Sequence, residues 1–283
     1  MTHCGLPSRF IGVFDSGVGG VSVWREIARQ LPHEDVVYLG DQAHVPYGLR
    51  SLDEVRSFSE GVARFLLDHG AKVIVIACNA ASAASLYYLR NLFPDIPFVG
   101  MEPAVKPAAE RTRTGVVGVI ATQTTFQGKL FASLLQRYAR DVRVVTEVGS
   151  GLVEAVEAGA LDIPETEELL LRHLEPLVQA GADQLVLGCT HYPFLRPVIE
   201  RLVGDRMMVI DPAPAVARQT DRVLAREGLE ADHQRAGDHV FCTTGDAADF
   251  TLLLERLLPP SVLLGNCTVR AACWREGRIE LVE

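Results

Sequence analysis

The sequence predicts an α/β fold of mostly parallel strands covered by helices on both faces and divided into two related halves. Three observations predict it. Short β-branched runs alternate with amphipathic helical stretches from end to end. Prolines mark two crossings, with Pro103 and Pro107 after the fourth predicted strand and Pro212 and Pro214 after the eighth. A faint internal repeat sets Val73-Ile74-Val75-Ile76-Ala77-Cys78-Asn79 beside Leu185-Val186-Leu187-Gly188-Cys189-Thr190-His191, each an apolar strand, a small residue, a cysteine and then polar groups.

The predicted strands cover 10–15, 36–41, 73–78, 98–101, 116–122, 143–148, 184–189, 207–211 and 239–243. Between them, 51–69 is the clearest helix, because Ser51 and Glu54 have capping-box spacing ahead of apolar Val55, Phe58, Val62 and Phe65. A second helix is expected at 165–180, opened by Asp162 and Pro164. The proline crossings and the paired cysteine strands divide the chain into one domain of 1–102 and 212–283 and a second, inserted domain of 103–211. Beyond about residue 258 the chain, with Cys267 and Cys273, reads as a hairpin-like tail to which no chemistry is assigned.

A chain of 283 residues, 48% hydrophobic and 22% charged, has enough apolar residues for a substantial core. Its net charge of -9 leaves no basic footprint for a phosphate backbone, so direct binding of nucleic acid is not expected. The N-terminus lacks a charged region followed by an apolar one, and no stretch approaches the ~20 apolar residues that span a bilayer, so a cytoplasmic protein without membrane contact is expected. The six cysteines include no C-x-x-C pair, which argues against a zinc site and a disulfide framework.

Ligands of open α/β sheets sit outside the carboxyl ends of the strands. There the polar residues gather: Asp15-Ser16-Gly17-Val18-Gly19-Gly20, Asp41 through Tyr47-Gly48, Cys78-Asn79, Thr122 and Cys189-Thr190-His191. The glycine-rich turn matches neither phosphate-binding fingerprint, and Asp15 would oppose a phosphate, so the glycines are assigned to tight backbone geometry. Cysteines on apolar strands are usually small buried hydrophobes, the reading given to Cys4, Cys242, Cys267 and Cys273. Cys78 and Cys189 differ. Each is expected between a strand and a helix start, where N–H dipoles lower a thiol pKa, and each has polar neighbours: Asn79 and Ser82, Thr190 and His191. His191 is a candidate for activating or orienting Cys189. A cysteine hydrolase would use the same pair but leaves the second thiol unexplained. Two opposed thiols can remove a proton from one face of a carbon and deliver one to the other, which is racemisation. Pyridoxal phosphate would need a Schiff-base lysine, and Lys72, Lys106 and Lys129 are poor candidates, so the expected chemistry is cofactor-free.

Residues Phe14 to Gly20, Gly40 to Gly48, Ala77-Cys78-Asn79, Gly188 to Pro193 and Thr243-Thr244-Gly245-Asp246 resemble, in order and spacing, the signatures of the glutamate racemase family within the aspartate/glutamate racemase superfamily. The similarity covers about residues 10–258. It implies two pseudo-symmetric, doubly wound α/β domains with L- and D-glutamate bound in the cleft between them, and a product, D-glutamate, used in peptidoglycan synthesis. By this resemblance Cys78 takes the proton from the D-isomer and Cys189 from the L-isomer. Asp15, Ser16, Tyr47, Gly48, Asn79, Thr122, Thr190 and His191 fall on substrate-contacting or thiol-assisting positions, and Glu157 on a supporting carboxylate. At Ala80 the family usually has threonine, so only the backbone N–H remains for the substrate; Gly149-Ser150 replaces a Cys-Pro, and Gly128 and Phe131 replace a serine/tyrosine pair. A homodimer is compatible with the resemblance. The rivals are aspartate racemase or another isomerase of the superfamily, and a binding protein without catalysis, since some members inhibit DNA gyrase; the intact Cys78, Cys189 and His191 argue against the latter.

Overall fold

In the computed structural model, which describes residues 5–232, 235–259 and 267–282, the strands form two sheets. The first contains β1 (Phe10–Asp15), β2 (Val36–Gly40), β3 (Ala71–Ile76) and β4 (Phe98–Gly100). The second contains β5 (Val116–Ala121), β6 (Arg143–Val148), β7 (Gln184–Gly188) and β8 (Met208–Ile210). The chain then returns to the first sheet with β9 (His239–Thr243), β10 (Cys267–Arg275) and β11 (Arg278–Leu281). The orders are β11-β10-β9-β2-β1-β3-β4 and β6-β5-β7-β8, and every pairing is parallel except β10 with β11.

Both sheets contain the same doubly wound core. Counted from its own first strand, each runs second, first, third, fourth, so β1 corresponds to β5 and β3 to β7. The switch point, where connections leave in opposite directions, lies between first and third strands, and this is where such sheets open a ligand crevice. Cys78 follows β3 and Cys189 follows β7, so the two cysteines occupy equivalent places in the two sheets.

Side-chain alternation explains why helices cover both faces. In β1, Ile11 and Val13 join one apolar cluster with Val23 and Ile27 of the helix Val21–Gln30 and Val216 and Val223 of the helix Ala213–Glu227. Phe10 and Phe14 face the other way, into a cluster with Val62 and Leu66 of the helix Leu52–Asp68 and Leu89 of the helix Asn79–Leu92. Being buried on both sides, β1, β2 and β7 contain no exposed position, as expected of parallel strands.

The helix Leu52–Asp68 begins with the expected capping box: Ser51 Oγ accepts from Glu54 N–H, and the Glu54 carboxylate accepts from Ser51 N–H. Such a cap contributes about 1 kcal/mol. The helix Pro164–Gln179 starts with Pro164 in its first turn, but Asp162 does not cap it. The N-cap is Ile163, and Asp162 pairs instead with Arg201 at 2.9 Å. The tail folds as the antiparallel pair β10–β11 and extends the first sheet through β9.

Candidate active site

The carboxyl ends of β1, β3, β5 and β7 converge on one small cavity of about 10 Å³. Cys78 and Cys189 both line it, with Ser16, Tyr47, Gly48, Asn79, Ala80, Thr122, Thr190 and His191. Its volume lies below the ~300–1,000 Å³ of ordinary ligand clefts, so the loops of the two sheets close tightly over the thiols. Cys78 and Cys189 are only 5% and 6% exposed.

The two thiols have different surroundings. Cys78 is the N-cap of the helix Asn79–Leu92, and its Sγ accepts from Ala81 N–H at 3.5 Å. That placement agrees with the sequence expectation, but its electrostatic consequence does not. Burial, followed by the nearby Asp15 carboxylate, pushes the Cys78 thiol well above its ordinary pKa, outweighing the lowering by the backbone N–H groups of Ala81 and Ser16. Cys189 is not at the start of an α-helix. It leads into a turn and the short 3-10 segment Tyr192–Leu195, and its Sγ lies 3.7 Å from His191 Nδ1.

Behind Cys189 stands a relay. The imidazole Nε2 of His191 bonds Glu157 Oε1 at 2.6 Å, and the Glu157 carboxylate also accepts from Val18 N–H at 2.9 Å and from Gln42 Nε2 at 2.9 Å. Burial alone would lower the His191 pKa, but hydrogen bonds to Cys189 and Glu157, with their charges, raise it well above the ordinary value. Burial works to raise Glu157, yet the bond to His191 and its charge, then Gln42 and Val18, hold the carboxyl below its usual range. Both shifts favour imidazolium beside carboxylate, with the ring 3.7 Å from the Cys189 sulfur.

Asp15 sits on the Cys78 side of the site, completely buried. Its Oδ2 accepts from Thr190 Oγ at 2.6 Å, and its Oδ1 from Ser16 Oγ and Gly17 N–H, each at 3.0 Å. Burial raises its pKa, opposed by the His191 charge and these donors. Thr122 Oγ pairs with Thr125 Oγ at 3.0 Å. Asn79 is 3% exposed, and neither atom of its carboxamide has a hydrogen-bond partner. A buried, unpaired amide costs free energy unless a ligand meets it.

One sequence expectation is refined in detail. The glycines of the first turn are not required by left-handed geometry, since neither Gly17 nor Gly19 has a positive φ. They are required by close approach: a Cβ at Gly17 would stand 2.0 Å from Glu157 Oε1, and one at Gly19 2.3 Å from His191 Nδ1. Tyr47 lines the cavity, and its hydroxyl donates to Asp41 Oδ2 at 2.7 Å. Sequence reasoning missed Gln42 and Val18, which hold Glu157 from 115 and 139 residues away in the chain. Their only sequence signal was a position within the two signature turns.

The lysines stand elsewhere. Lys72 is buried against Glu34 at 2.5 Å, Lys106 lies 3.9 Å from Glu110, and Lys129 opens the helix Lys129–Tyr138. Cys242 is fully buried, its thiol pushed up to about 12, as suits a core residue. Among the described residues no cluster of His, Cys, Asp and Glu is suited to a metal ion, and no helix is long and apolar enough to cross a membrane.

A family model described as Asp/Glu/Hydantoin racemase matches residues 11–220. The glutamate racemase of Roseiflexus sp. (strain RS-1) is 50% identical over 251 residues, 88% of this chain and 92% of that protein. The glutamate racemase of Pseudomonas aeruginosa PAO1 is 50% identical over 254 residues, 90% and 94% of the two chains. Among solved structures, a glutamate racemase isoform from Bacillus anthracis is similar with a TM-score of 0.83 at 34% identity, over 95% of this chain and 98% of that one. Escherichia coli glutamate racemase, in complex with L-glutamate and the activator UDP-MurNAc-ala, has a TM-score of 0.80 at 28% identity, over 98% and 100% of the chains.

Proposed function

Because the chain belongs to the Asp/Glu/hydantoin racemase family, we propose that Cys78 and Cys189 are the two acid/base thiols with which this glutamate racemase interconverts L- and D-glutamate. The observation that carries the proposal is the entry of both sulfurs into one closed cavity from equivalent positions of two sheets. In the L-to-D direction the Cys189 thiolate takes the proton from Cα; the C–H bond breaks, an S–H bond forms, and the electron pair stays on carbon. The Cys78 thiol then gives its proton to the opposite face, ending as a thiolate. The reverse direction exchanges their roles.

The surroundings supply what each step needs. The His191 imidazolium, held by Glu157, compensates negative charge on Cys189. The bond from Thr190 Oγ to Asp15 ties the turn after β1 to the segment that follows Cys189. The unpaired Asn79 carboxamide, Ser16 and the backbone at Ala80 and Gly48 are the polar groups offered to the two carboxylates and the ammonium group of glutamate. A fixed shell of buried polar groups of this kind stabilises developing charge without an electron sink, consistent with lysines that all lie outside the cavity.

The same reading divides the chain into a domain of 1–102 with 212–283 and an inserted domain of 103–211, with the substrate between them. It places the protein in the cytoplasm, in keeping with cysteines that are free wherever they are described. D-Glutamate made there enters peptidoglycan synthesis.

The test uses the purified protein and L-glutamate without added pyridoxal phosphate, following loss of optical activity. Cys78→Ser and Cys189→Ser should each abolish interconversion but fail differently. A glutamate with a leaving group at C3 eliminates once Cα is deprotonated, so it needs one thiol only. The D-configured compound should still react in Cys189→Ser, and the L-configured one in Cys78→Ser. Loss of both partial reactions in either variant contradicts opposed thiols.

A further inference from the structure

The C-terminal hairpin reaches the active site through a buried carboxylate that the catalytic reading does not use. Asp41, at the carboxyl end of β2, is fully buried and accepts four side-chain hydrogen bonds. Its Oδ2 accepts from Tyr47 Oη at 2.7 Å and faces His44 Nδ1 at 2.9 Å. Its Oδ1 accepts from Thr244 Oγ at 2.8 Å and from the indole Nε1 of Trp274 at 2.7 Å. Two of these donors belong to the segment 42–48 that lines the cavity; the other two come from over 200 residues further along the chain.

Trp274 does more than donate one bond. It stands on β10, at the edge of His44 with ring centres 5.2 Å apart, while His44 stacks on Phe58 at 3.9 Å. A Cβ at Gly61 would stand 2.4 Å from the indole ring, so the helix Leu52–Asp68 closes on the other side of the tryptophan. The segment 42–48 is thus held from below by Asp41 and sideways by an aromatic stack ending in Trp274. From the opposite sheet, Thr124 Oγ donates to the Gly48 carbonyl at 3.0 Å.

We propose that Trp274 is a positioning residue for substrate binding. Through Asp41 it fixes the Tyr47-Gly48 edge of the cavity, so that the tail after residue 258 sets the affinity of the site without touching the ligand. The inference rests on the racemase reading above. It follows from geometry: the Tyr47 hydroxyl is consumed by Asp41, so the orientation of Tyr47, and with it the backbone that lines the cavity, depends on how firmly Asp41 is held. The indole N–H is one of its four anchors and the only one contributed by the hairpin among the described residues.

The experiment compares Trp274→Phe, which keeps an aromatic ring and removes the N–H, with Asp41→Asn and with Leu66→Ala. Leu66 is buried in the same apolar cluster but has no bond to Asp41, so it reports what loss of stability alone does. Glutamate racemisation and the thermal midpoint are measured for each in the full-length protein. Trp274→Phe should raise KM for both enantiomers by roughly threefold to tenfold, with kcat within about twofold, the scale of losing one charge-assisted hydrogen bond in part. Asp41→Asn should move KM the same way and further, and Leu66→Ala should lower the midpoint with KM unchanged. An active Trp274→Phe protein with wild-type KM, whatever its midpoint, overturns the inference, as does a fall in kcat without a change in KM. A wild-type protein that does not racemise glutamate overturns the functional reading itself, and this inference with it.

Discussion

Gly19→Ala is the smallest change that should disable one thiol and spare the other. The added Cβ would stand 2.3 Å from His191 Nδ1, 2.5 Å from His191 Cε1 and 2.6 Å from Thr190 Oγ, where ordinary contact begins near 3.4 Å. Relieving the first contact moves the imidazole outward by about 1.1 Å, from 2.3 to 3.4 Å. The ring cannot recede freely, because its far nitrogen is already bonded to Glu157 at 2.6 Å, so it must turn and lengthen the 3.7 Å approach to Cys189. A misplacement of about 1 Å in a catalytic group costs about 10²-fold in rate. Overpacking should cost roughly 1–3 kcal/mol of stability, a separate and smaller matter. Racemisation alone cannot show which thiol is affected, because the enantiomers have equal free energy and kcat/KM must fall equally in both directions. The one-thiol eliminations can. The L-configured 3-substituted glutamate, which needs Cys189 as base, should react about a hundredfold more slowly, while its D-configured counterpart, which needs Cys78, should change by less than about threefold. Equal loss of both, or no loss of the first, would refute the assignment of His191 to Cys189.

Glu157→Gln should lower the His191 pKa, since the carboxylate is one of the groups that raises it, so the alkaline limit of kcat shifts to lower pH and kcat falls roughly tenfold to a hundredfold, read from a pH–rate profile. The same pair governs stability with a definite sign. The raised His191 pKa contributes stability that is complete below its unfolded value and lost as pH rises through the folded one. The lowered Glu157 pKa contributes stability present above its unfolded value and lost as pH falls through the folded one. The wild type should therefore exceed Glu157→Gln most between the two unfolded values, about pH 4.5 to 6.5, and least at the two extremes, as measured by denaturant titration across pH. Ala80→Thr places a hydroxyl in the cavity wall and should tighten glutamate binding by about 0.5–1.5 kcal/mol, the net value of one hydrogen bond, seen as a lower KM. An unchanged or higher KM would mean that the closed wall has no room for it or that the carboxylate is already satisfied.

Much of this site was legible because its parts lie at strand ends. The strands 10–15, 143–148 and 239–243 match the structure residue for residue, and both cysteines lie just past their strands. What the sequence concealed was burial and long-range pairing. The dipole at a helix start points to a lowered Cys78 pKa, but the helix also seals the sulfur from water next to a carboxylate, and desolvation in a closed site outweighs one 3.5 Å N–H contact. The glycine turn looked like backbone geometry because the side chains that fill the missing Cβ positions, Glu157 and His191, come from the other sheet. Asp162 looked like a cap by proximity to Pro164, yet an arginine nearly forty residues later takes its carboxylate. The tail carried no motif at all; only the pairing of β10 with β9 brings Trp274 to Asp41.

The unequal surroundings of the two thiols bear on how a reaction between equal-energy enantiomers is run. Sheet topology puts the cysteines at equivalent places, but the chemistry around them is not equivalent: the imidazole of His191 faces Cys189, whereas the Asp15 carboxyl lies near Cys78. On the two-thiol reading this asymmetry cannot favour one enantiomer at equilibrium. Burial and the nearby Asp15 work against a thiolate at Cys78, and His191 lies where it compensates negative charge at Cys189, so the two half-reactions meet different electrostatics while kcat/KM stays equal in the two directions.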